Sequence, residues 1–547
     1  MFESFNNLMS DIIIGPERRK VKKYFDTATR DTVYADLAKI LSWKLEKPQL
    51  LQDTFNKYCI EDPLSHGKSE SFHSHIRTTH SARAISDAAV ALLWGSFHFY
   101  AYHPFPRDSQ RHPNVDFEAF RRAALLTVFQ CDGLLGTREL DWYWRENGAF
   151  FHKAGLTRVF RSIAILADEF WEQESPTVSD AMDVLVMLGP QFIHAIPSGS
   201  QLEAVSRKLF TDWPAVEPRN VVKQEDISIL MDLLIRLRLH ERRWANYYHF
   251  GTVVEADSTS QDLTRALVNS LTEKCGEQKI KVQHLSGYMD LMPNLVLRFQ
   301  QLWAVLFQPS GAADASKSLT NEAEQACIGG AISLFAPHFI VDHAGRQRPD
   351  SQDTRLMLET VQVSPDSQDI TMLRLSQNLS NNSTGHIVLF TTTVYSDIPK
   401  TTIGAYLPVP STDKVTSAYL PIQLDVSHVL FQLQPRFRLL RWVKPWIRLG
   451  DLLRSEWKVS SNKDVLEEDA ELPYWVGAPR RDIGLRVDPK ERVATLTSSK
   501  NEDYLGVPIH GAGNSEASWN VAVQNAQMDI FSLPGARNRN RSAEFFP

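Results

Sequence analysis

Cysteine is scarce in this chain, with four among 547 residues: Cys59, Cys131, Cys275 and Cys327. They lie far apart and none forms a CxxC pair, so neither a zinc ribbon nor a disulfide framework is encoded. Scattered core thiols in a reducing compartment are the expectation, and the sequons at Asn378, Asn381 and Asn382 are then expected to stay unglycosylated. A dominant charge is also missing. The 59 Lys and Arg nearly balance 65 Asp and Glu, for a net −6, which argues against wholesale coating of a nucleic acid. No clean membrane span stands out. Ala88 to Phe105, "AAVALLWGSFHFYAYHPF", is uncharged and about long enough to cross a bilayer. His98, His103 and Pro104 interrupt it, so it reads as a buried helix of a soluble domain. The N-terminus opens with polar residues and lacks the basic start and apolar run of a secretory signal, and Phe2 excludes N-myristoylation.

Assembled catalytic motifs are absent as well. "GAADASKS" lacks the Gly-Lys pair of a P-loop, and no kinase set or strand-to-helix GxGxxG occurs. "SHGKSESFHSHIRTTH" holds His66, His73, His75 and His80, but His75 and His80 are five apart with no acid placed to complete an HExxH-like set, so a solvated polar loop is expected. Gly513 to Ala517 resembles a nucleophile elbow around Ser515 only loosely, with Gly-rich loop where strand and helix are needed. Glu467 and Glu468 sit in an acidic run with Asp464, Asp469 and Glu471 that reads as solvated loop.

What is present is an ordinary globular composition, 43% apolar and 23% charged, in a chain long enough for roughly two to four domains. Helical periodicity dominates the first part. "DTVYADLAKILSWKLEKP" sets Val33, Leu37, Ile40 and Leu41 on one face and stops at Pro48. "DISILMDLLIRLRLHERRWANYYHF" carries an apolar stripe from Ile227 to Leu237, and "YMDLMPNLVLRFQQLWAVLF" another, with Pro293 as a helix start. An EF-hand-like layout spans 116–145. Gly133 takes the sharp-turn position, Asp132 the fifth, Leu135 the eighth and Glu139 the twelfth, but Val128 and Gln130 occupy the first and third ligand positions. Calcium needs six to eight oxygen ligands, so a calcium-free scaffold is expected and no metal is assigned.

After "QPSGAADASKSLTNEAEQ" and the polar linker "DHAGRQRPDSQDTR", strand patterns take over. "LMLETVQV", "HIVLFTTTV", "TTIGAYLPV", "HVLFQLQP" and "FRLLRW" read as strands, with the helix "DITMLRLSQNL" between the first two. A hairpin around Asp488-Pro489 and a last strand "NAQMDIFSLP" follow. In "RFRLLRWVKPWIRLGDLLR", Arg436, Arg438, Arg441, Lys444, Arg448 and Arg454 alternate with Phe, Leu and Trp. Such a stripe can grip single-stranded nucleic acid, but alternation is also what a half-buried strand shows, and the strand reading is preferred.

The order of these strands resembles a TLDc domain. Gly404-Ala405-Tyr406 is similar to the family's "fGAy/f" motif. Leu430 to Pro435, with Phe431, Leu433 and Pro435, is similar to "lFsLsP", and Gly484-Leu485 with Asp488 to "GLwiD". The resemblance covers Leu356 to Leu533. The family's Ser-x-x-x-Gly-x-Ser is reduced here to "SPDSQD", and its "vEvWg" strand to "MDIFSLPG". A helical region ahead of such a domain resembles fungal restriction-of-telomere-capping-type proteins. The resemblance implies an α+β chain: an all-α N-terminal region over 1–345 (EF-hand-like, with one or two subdomains), a β-sandwich flanked by short helices over 346–535, and a disordered tail over 536–547. It further implies no active site and no cofactor, a role in oxidation resistance, and a protein partner such as the vacuolar-type proton ATPase. The location it implies is cytoplasmic, with peripheral recruitment to the vacuolar membrane. Two other readings stay open: a serine hydrolase using Ser515, and a single-strand binder using the 436–454 stripe.

Overall fold

The computed structural model describes residues 19–20, 22–24, 26–43, 48–58, 69–105, 114–127, 148–164, 204, 208–209, 221–244, 248–272, 279–286, 292, 294–307, 323–336, 339–341, 347–349, 361–362, 369–379, 385–392, 400–408, 428–442, 453–455, 472–480, 483–498, 504–506 and 519–533. The chain mixes helices with antiparallel sheets and divides into two compact units. The first comprises Met1–Glu255, Glu277–Met289 and Leu295–Thr320, and the second Ala256–Gly276, Asp290–Asn294 and Asn321–Pro547.

Among the described residues the helices of the first unit are α1 (Arg30–Trp43), α2 (Pro48–Tyr58), α3 (Ser69–Thr79), α4 (Asp87–Ala101), α5 (Phe117–Thr127), α6 (Gly148–Ser162), α7 (Gln224–Arg236), α9 (Val282–Ser286) and α10 (Leu295–Leu306); α8 (Ser258–Thr272) belongs to the second unit. Val33, Leu37 and Leu41 of α1 are buried as their spacing requires. Pro48 opens α2 at the position where a missing N–H costs nothing. The uncharged stretch from Ala88 forms most of α4. Ser86 caps it by accepting the Ala89 N–H at 3.2 Å, and Asp87 favours the positive end of the helix dipole. At 15 residues α4 is roughly 22 Å long, and among the described residues no helix is long and apolar enough to cross a membrane. Its apolar residues meet other helices instead. Phe97 lies 5.5 Å from Phe120, 5.6 Å from Trp303 and 5.5 Å from Phe307, and Phe72 of α3 joins at 6.1 Å.

Two expectations for this region are corrected. It is not all-α: β1 (Val221–Lys223) pairs with β4 (Lys279–Lys281), and β2 (Leu237–Trp244) with β3 (Tyr248–Val253). The apolar stripe that begins at Ile227 changes period at Arg236, where helical spacing gives way to Leu237 and Leu239 alternating with Arg238. The histidine segment is likewise a helix, α3, not a loop. Phe72 and Ile76, four apart, bury one face and the polar residues take the other.

Buried arginines fasten the switch from α7 to β2. Arg236 is 4% exposed; its Nη2 lies 2.5 Å from Asp232 Oδ2, and its Nη1 donates to the carbonyls of Ala84 (2.7 Å) and Val254. Arg298, fully buried in α10, donates from Nη2 to the Leu234 carbonyl at 2.9 Å and the Leu237 carbonyl at 2.8 Å. Leu234 lies in the last turn of α7, where carbonyls have no intrahelical donor, and Leu237 opens the following strand, β2. Burial lowers the Arg298 pKa to about 9. Gly251 lets α10 approach β3, since a Cβ there would meet the Arg238 carbonyl and stand 2.7 Å from Val305 Cγ2.

In the second unit the sheets carry the architecture. The strands are β5 (Phe339–Val341), β6 (Gln347–Pro349), β7 (Val361–Gln362), β8 (Gly385–Thr392), β9 (Thr402–Pro408), β10 (Val429–Gln434), β11 (Arg438–Trp442), β12 (Leu453–Ser455), β13 (Tyr474–Arg480), β14 (Ile483–Asp488), β15 (Val493–Ser498), β16 (Tyr504–Gly506), β17 (Trp519–Val523) and β18 (Ala526–Leu533). The linker expected over 342–355 contains the short strand β6, which pairs with β5 just before it. One sheet runs β16-β11-β10-β9-β8-β18-β7 and the other β12-β13-β14-β15-β17, with every pair antiparallel. The two close on one apolar core, to which the first gives Val388, Ala405 and Leu430 and the second Val476, Leu485 and Leu496. Helices α8 and α11 (Ala323–Ser333) lie by the other face of the larger sheet. The Phe437 N–H donates to Ser270 Oγ at 3.2 Å, and the ring of Phe335, just past α11, packs tilted against Phe431 at 5.2 Å. Helix α12 (Met372–Leu379) matches its expected span and gives Leu375 to the core.

Removing the Arg236 side chain strands the Asp232 carboxylate and two carbonyls. Arg236→Ala is therefore expected to lower stability by about 3 kcal/mol, read as a shift of the urea midpoint of the full chain.

Candidate functional site

The sequence singles out three short motifs, and two of them are neighbours in the larger sheet. In β9 and β10 the register sets Gly404 against Phe431, Ala405 against Leu430 and Tyr406 against Val429. On the other side β8 sets Leu389 against Gly404 and Val388 against Ala405. Gly404 is required by proximity: a Cβ would collide with the Val388 carbonyl and stand 2.8 Å from Phe431 Cζ. Ala405 points into the core between the sheets, whereas Phe431 packs against the tilted ring of Phe335.

A strand packed on one face alone would alternate buried and solvated positions along His428–Trp442. β10 instead is buried along its whole length, with Phe431 and Leu433 both at 0% exposure. Leu430 serves the inter-sheet core, and its neighbour Phe431 is buried by Phe335 beyond α11. The register shifts between Gln432 and Gln434, the Gln434–Pro435 peptide is cis, and Pro435 is exposed where the chain turns into β11. Sequence reasoning missed the buried amides beside this turn. Thr402 Oγ1 donates to Gln434 Oε1 at 3.3 Å, and Gln432 Nε2 donates to the Gln434 carbonyl at 3.2 Å. The two glutamines were legible only as polar interruptions of an apolar run.

The third motif stands in the opposing sheet. Gly484 has φ 150°, a conformation few residues other than glycine adopt. Leu485 pairs with Val476 and Leu496 in the same core as Ala405. Asp488 closes the β14–β15 hairpin by accepting the Glu491 N–H at 3.1 Å, with Arg486 3.7 Å away. That turn meets the one joining β17 to β18, where the Ala526 N–H donates to the Arg492 carbonyl at 2.9 Å. Arg492 (φ 53°) and Asn525 (φ 48°) take the left-handed turns involved. All nine motif residues thus serve strands, turns or core.

The candidate chemical groups do not come together. His73 Nε2 and Arg77 share the exposed Asp87 carboxylate at 3.0 and 2.5 Å, and these partners hold that carboxyl below its usual pKa. His75 Nε2 instead bonds the Leu306 carbonyl at 2.9 Å, and His80 is buried with its pKa lowered to about 4 by desolvation and the nearby His75 and Arg77. Among the described residues no group of His, Cys, Asp and Glu is arranged to hold a metal ion. Of the cysteines, Cys327 is described and buried. Ser515, the acidic run at Glu467 and Glu468, the EF-hand-like positions Val128, Gln130, Asp132, Gly133, Leu135 and Glu139, and His66 lie outside the described residues. In the basic stripe, Arg436 is exposed and Arg438 stacks 4.5 Å over the Trp519 ring; Lys444 and Arg448 also lie outside.

The fold class is thus mixed α+β, with an antiparallel two-sheet second unit. Neither a protein-family model nor a curated protein sequence matches the chain.

Gly404→Ala is expected to cost about 2 kcal/mol or more in a denaturation series. Phe431→Leu should not restore the loss, because the closer clash is with the Val388 backbone. A second test uses His428, whose burial lowers its pKa from 6.5 to about 3. The unfolded chain takes up a proton below pH 6.5 that the folded chain refuses, so stability present at neutral pH is lost as pH falls through that window. The stability lost between pH 7 and pH 5 is expected to shrink by about 2 kcal/mol in His428→Gln, measured as midpoints at the two pH values; an unchanged difference would contradict the burial of a neutral imidazole.

Proposed function

We propose that this chain is a non-enzymatic interaction protein of TLDc type that binds a multi-subunit partner, the vacuolar-type proton ATPase, and shifts its assembly equilibrium. One observation supports the reading most: the Gly404–Tyr406 motif on β9 pairs with Val429–Phe431 of β10, the strand that runs into Pro435, while Gly484–Asp488 lies in the opposing sheet, in the order that the family's motifs follow. All nine residues are spent on packing and turns, which fits a scaffold whose binding groups lie elsewhere on the surface. The calcium-free EF-hand-like segment, the contribution to oxidative-stress resistance and the peripheral vacuolar location belong to the same proposal. Single-strand binding through residues 436–454 is the weaker reading, because Phe437 of that stripe is buried and Arg438 is already engaged over the Trp519 ring.

Affinity capture from fungal lysate with the full chain as bait, followed by mass spectrometry, tests the partner. Proton-pump subunits should be enriched at least tenfold over an unrelated bait; recovery of none of them would remove the assignment.

A further inference from the structure

Among the described residues the two large sheets of the second unit end in four edge strands, and three of them are blunt. β12 and β16 are three residues long and β7 is two. The fourth, β17, keeps unbroken register with β15 over five pairs, from Ala494↔Val523 to Ser498↔Trp519. No described strand pairs with its other side. Exposed edges are normally guarded by shortness, charge, proline or a bulge, because their backbone groups template further pairing. "WNVAV" has none of these guards. One face of the strand is held in place, since Trp519 and Val521 pack on the inter-sheet core and Arg438 stacks on Trp519. The alternate residues Asn520 and Ala522 are exposed, as are Gln524 and Asn525 after them.

We propose that β17 pairs antiparallel with β17 of a second copy, about a two-fold axis at Val521. Val521 then meets the partner's Val521, Trp519 the partner's Val523, and Asn520 the partner's Ala522, and the two five-stranded sheets become one of ten strands. A second copy is favoured over a foreign strand on two grounds. The segment has no charge with which to select an acidic or basic peptide, and self-pairing opposes no like charges across the axis. Its two small exposed side chains also meet without steric conflict. A sheet edge of this length buries less than the ~1,000 Å² of a stable interface, so the association is weak and concentration-dependent.

The test measures the mass of the full chain by light scattering across a concentration series, with hydrogen exchange at its two ends. The wild type should rise from 62.2 kDa toward twice that value, with the amides of Trp519–Val523 that point away from β15 slowing as concentration increases. Asn520→Lys/Ala522→Lys sets ammonium groups opposite one another and should weaken dimerisation by about tenfold or more. Asn520→Lys/Ala522→Glu turns each opposed pair into an ion pair and should restore it. Both pairs of substitutions are at exposed positions, and matching melting temperatures would establish that the variants fold. A wild type that stays monomeric, or a dimer indifferent to both variants, overturns the proposal. Slow exchange at every concentration in the outward-pointing amides of β17, those not already bonded to β15, also overturns it, because another segment of the same chain would then occupy the edge.

Discussion

The second unit depends on burying one strand from both sides. In an open antiparallel sheet, half of each strand's side chains normally reach water, yet every residue of β10 is buried. Leu430 is committed to the core between the sheets and Phe431 to the aromatic contact with Phe335. A register slip of one residue would exchange the two faces. It would also move the Phe431 ring away from Gly404, the position on β9 where a Cβ has no room. Helical cover on one face and the opposing sheet on the other therefore set a single alignment for β8, β9 and β10, and the remaining strands of the larger sheet build outward from it.

The same two-sided burial explains what the sequence disclosed and what it concealed. "HIVLFTTTV", "TTIGAYLPV" and "GLRVDPKERVATLTSS" were readable because β-branched runs end at turn formers, and the strands fall where those signals fall. The helix at Met372 was readable from its period. Concealed were elements whose local signal points elsewhere. Phe72 and Ile76 are only two apolar residues in a helix of eleven, so α3 resembled a polar loop. The leucines of β2 continue those of α7 without a break, so a change of period looked like one long helix. That α8 belongs with strands more than a hundred residues away is a non-local fact, carried by the bond from Phe437 to Ser270, and no periodicity encodes it. The motif residues were legible as positions, but the two-faced burial of β10 was not, because an apolar run does not say what will cover it.

In the first unit, arginine replaces part of what apolar packing supplies elsewhere. Arg236 and Arg298 are both buried, and both aim guanidinium donors at backbone carbonyls around the junction of α7 and β2. A helix that ends inside a core leaves carbonyls that water cannot reach. Guanidinium suits the position because one planar fork can serve two acceptors while its charge strengthens each bond. Arg236 offsets desolvation with Asp232; Arg298 does so with carbonyl dipoles and the Gln301 side chain. The change from helix to hairpin is thus held by two long side chains, Arg298 reaching in from α10 and Arg236 reaching out from the junction to the Ala84 and Val254 carbonyls.

Residues that hold a fold are poor reporters of what the fold is for. Gly404, Ala405, Phe431, Leu433 and Leu485 are buried, Gly484 is set by its backbone, and Asp488 ties a turn. Changing any of them lowers the folded population, and a lost activity would follow from that alone. Function is therefore to be sought where side chains are not already committed, on exposed turns and strand edges. There a substitution leaves the core intact and an altered phenotype can be assigned to a lost contact. By that criterion the solvent-facing residues of β17 are informative positions and the motif residues are not, although the motif residues drew attention to this part of the chain.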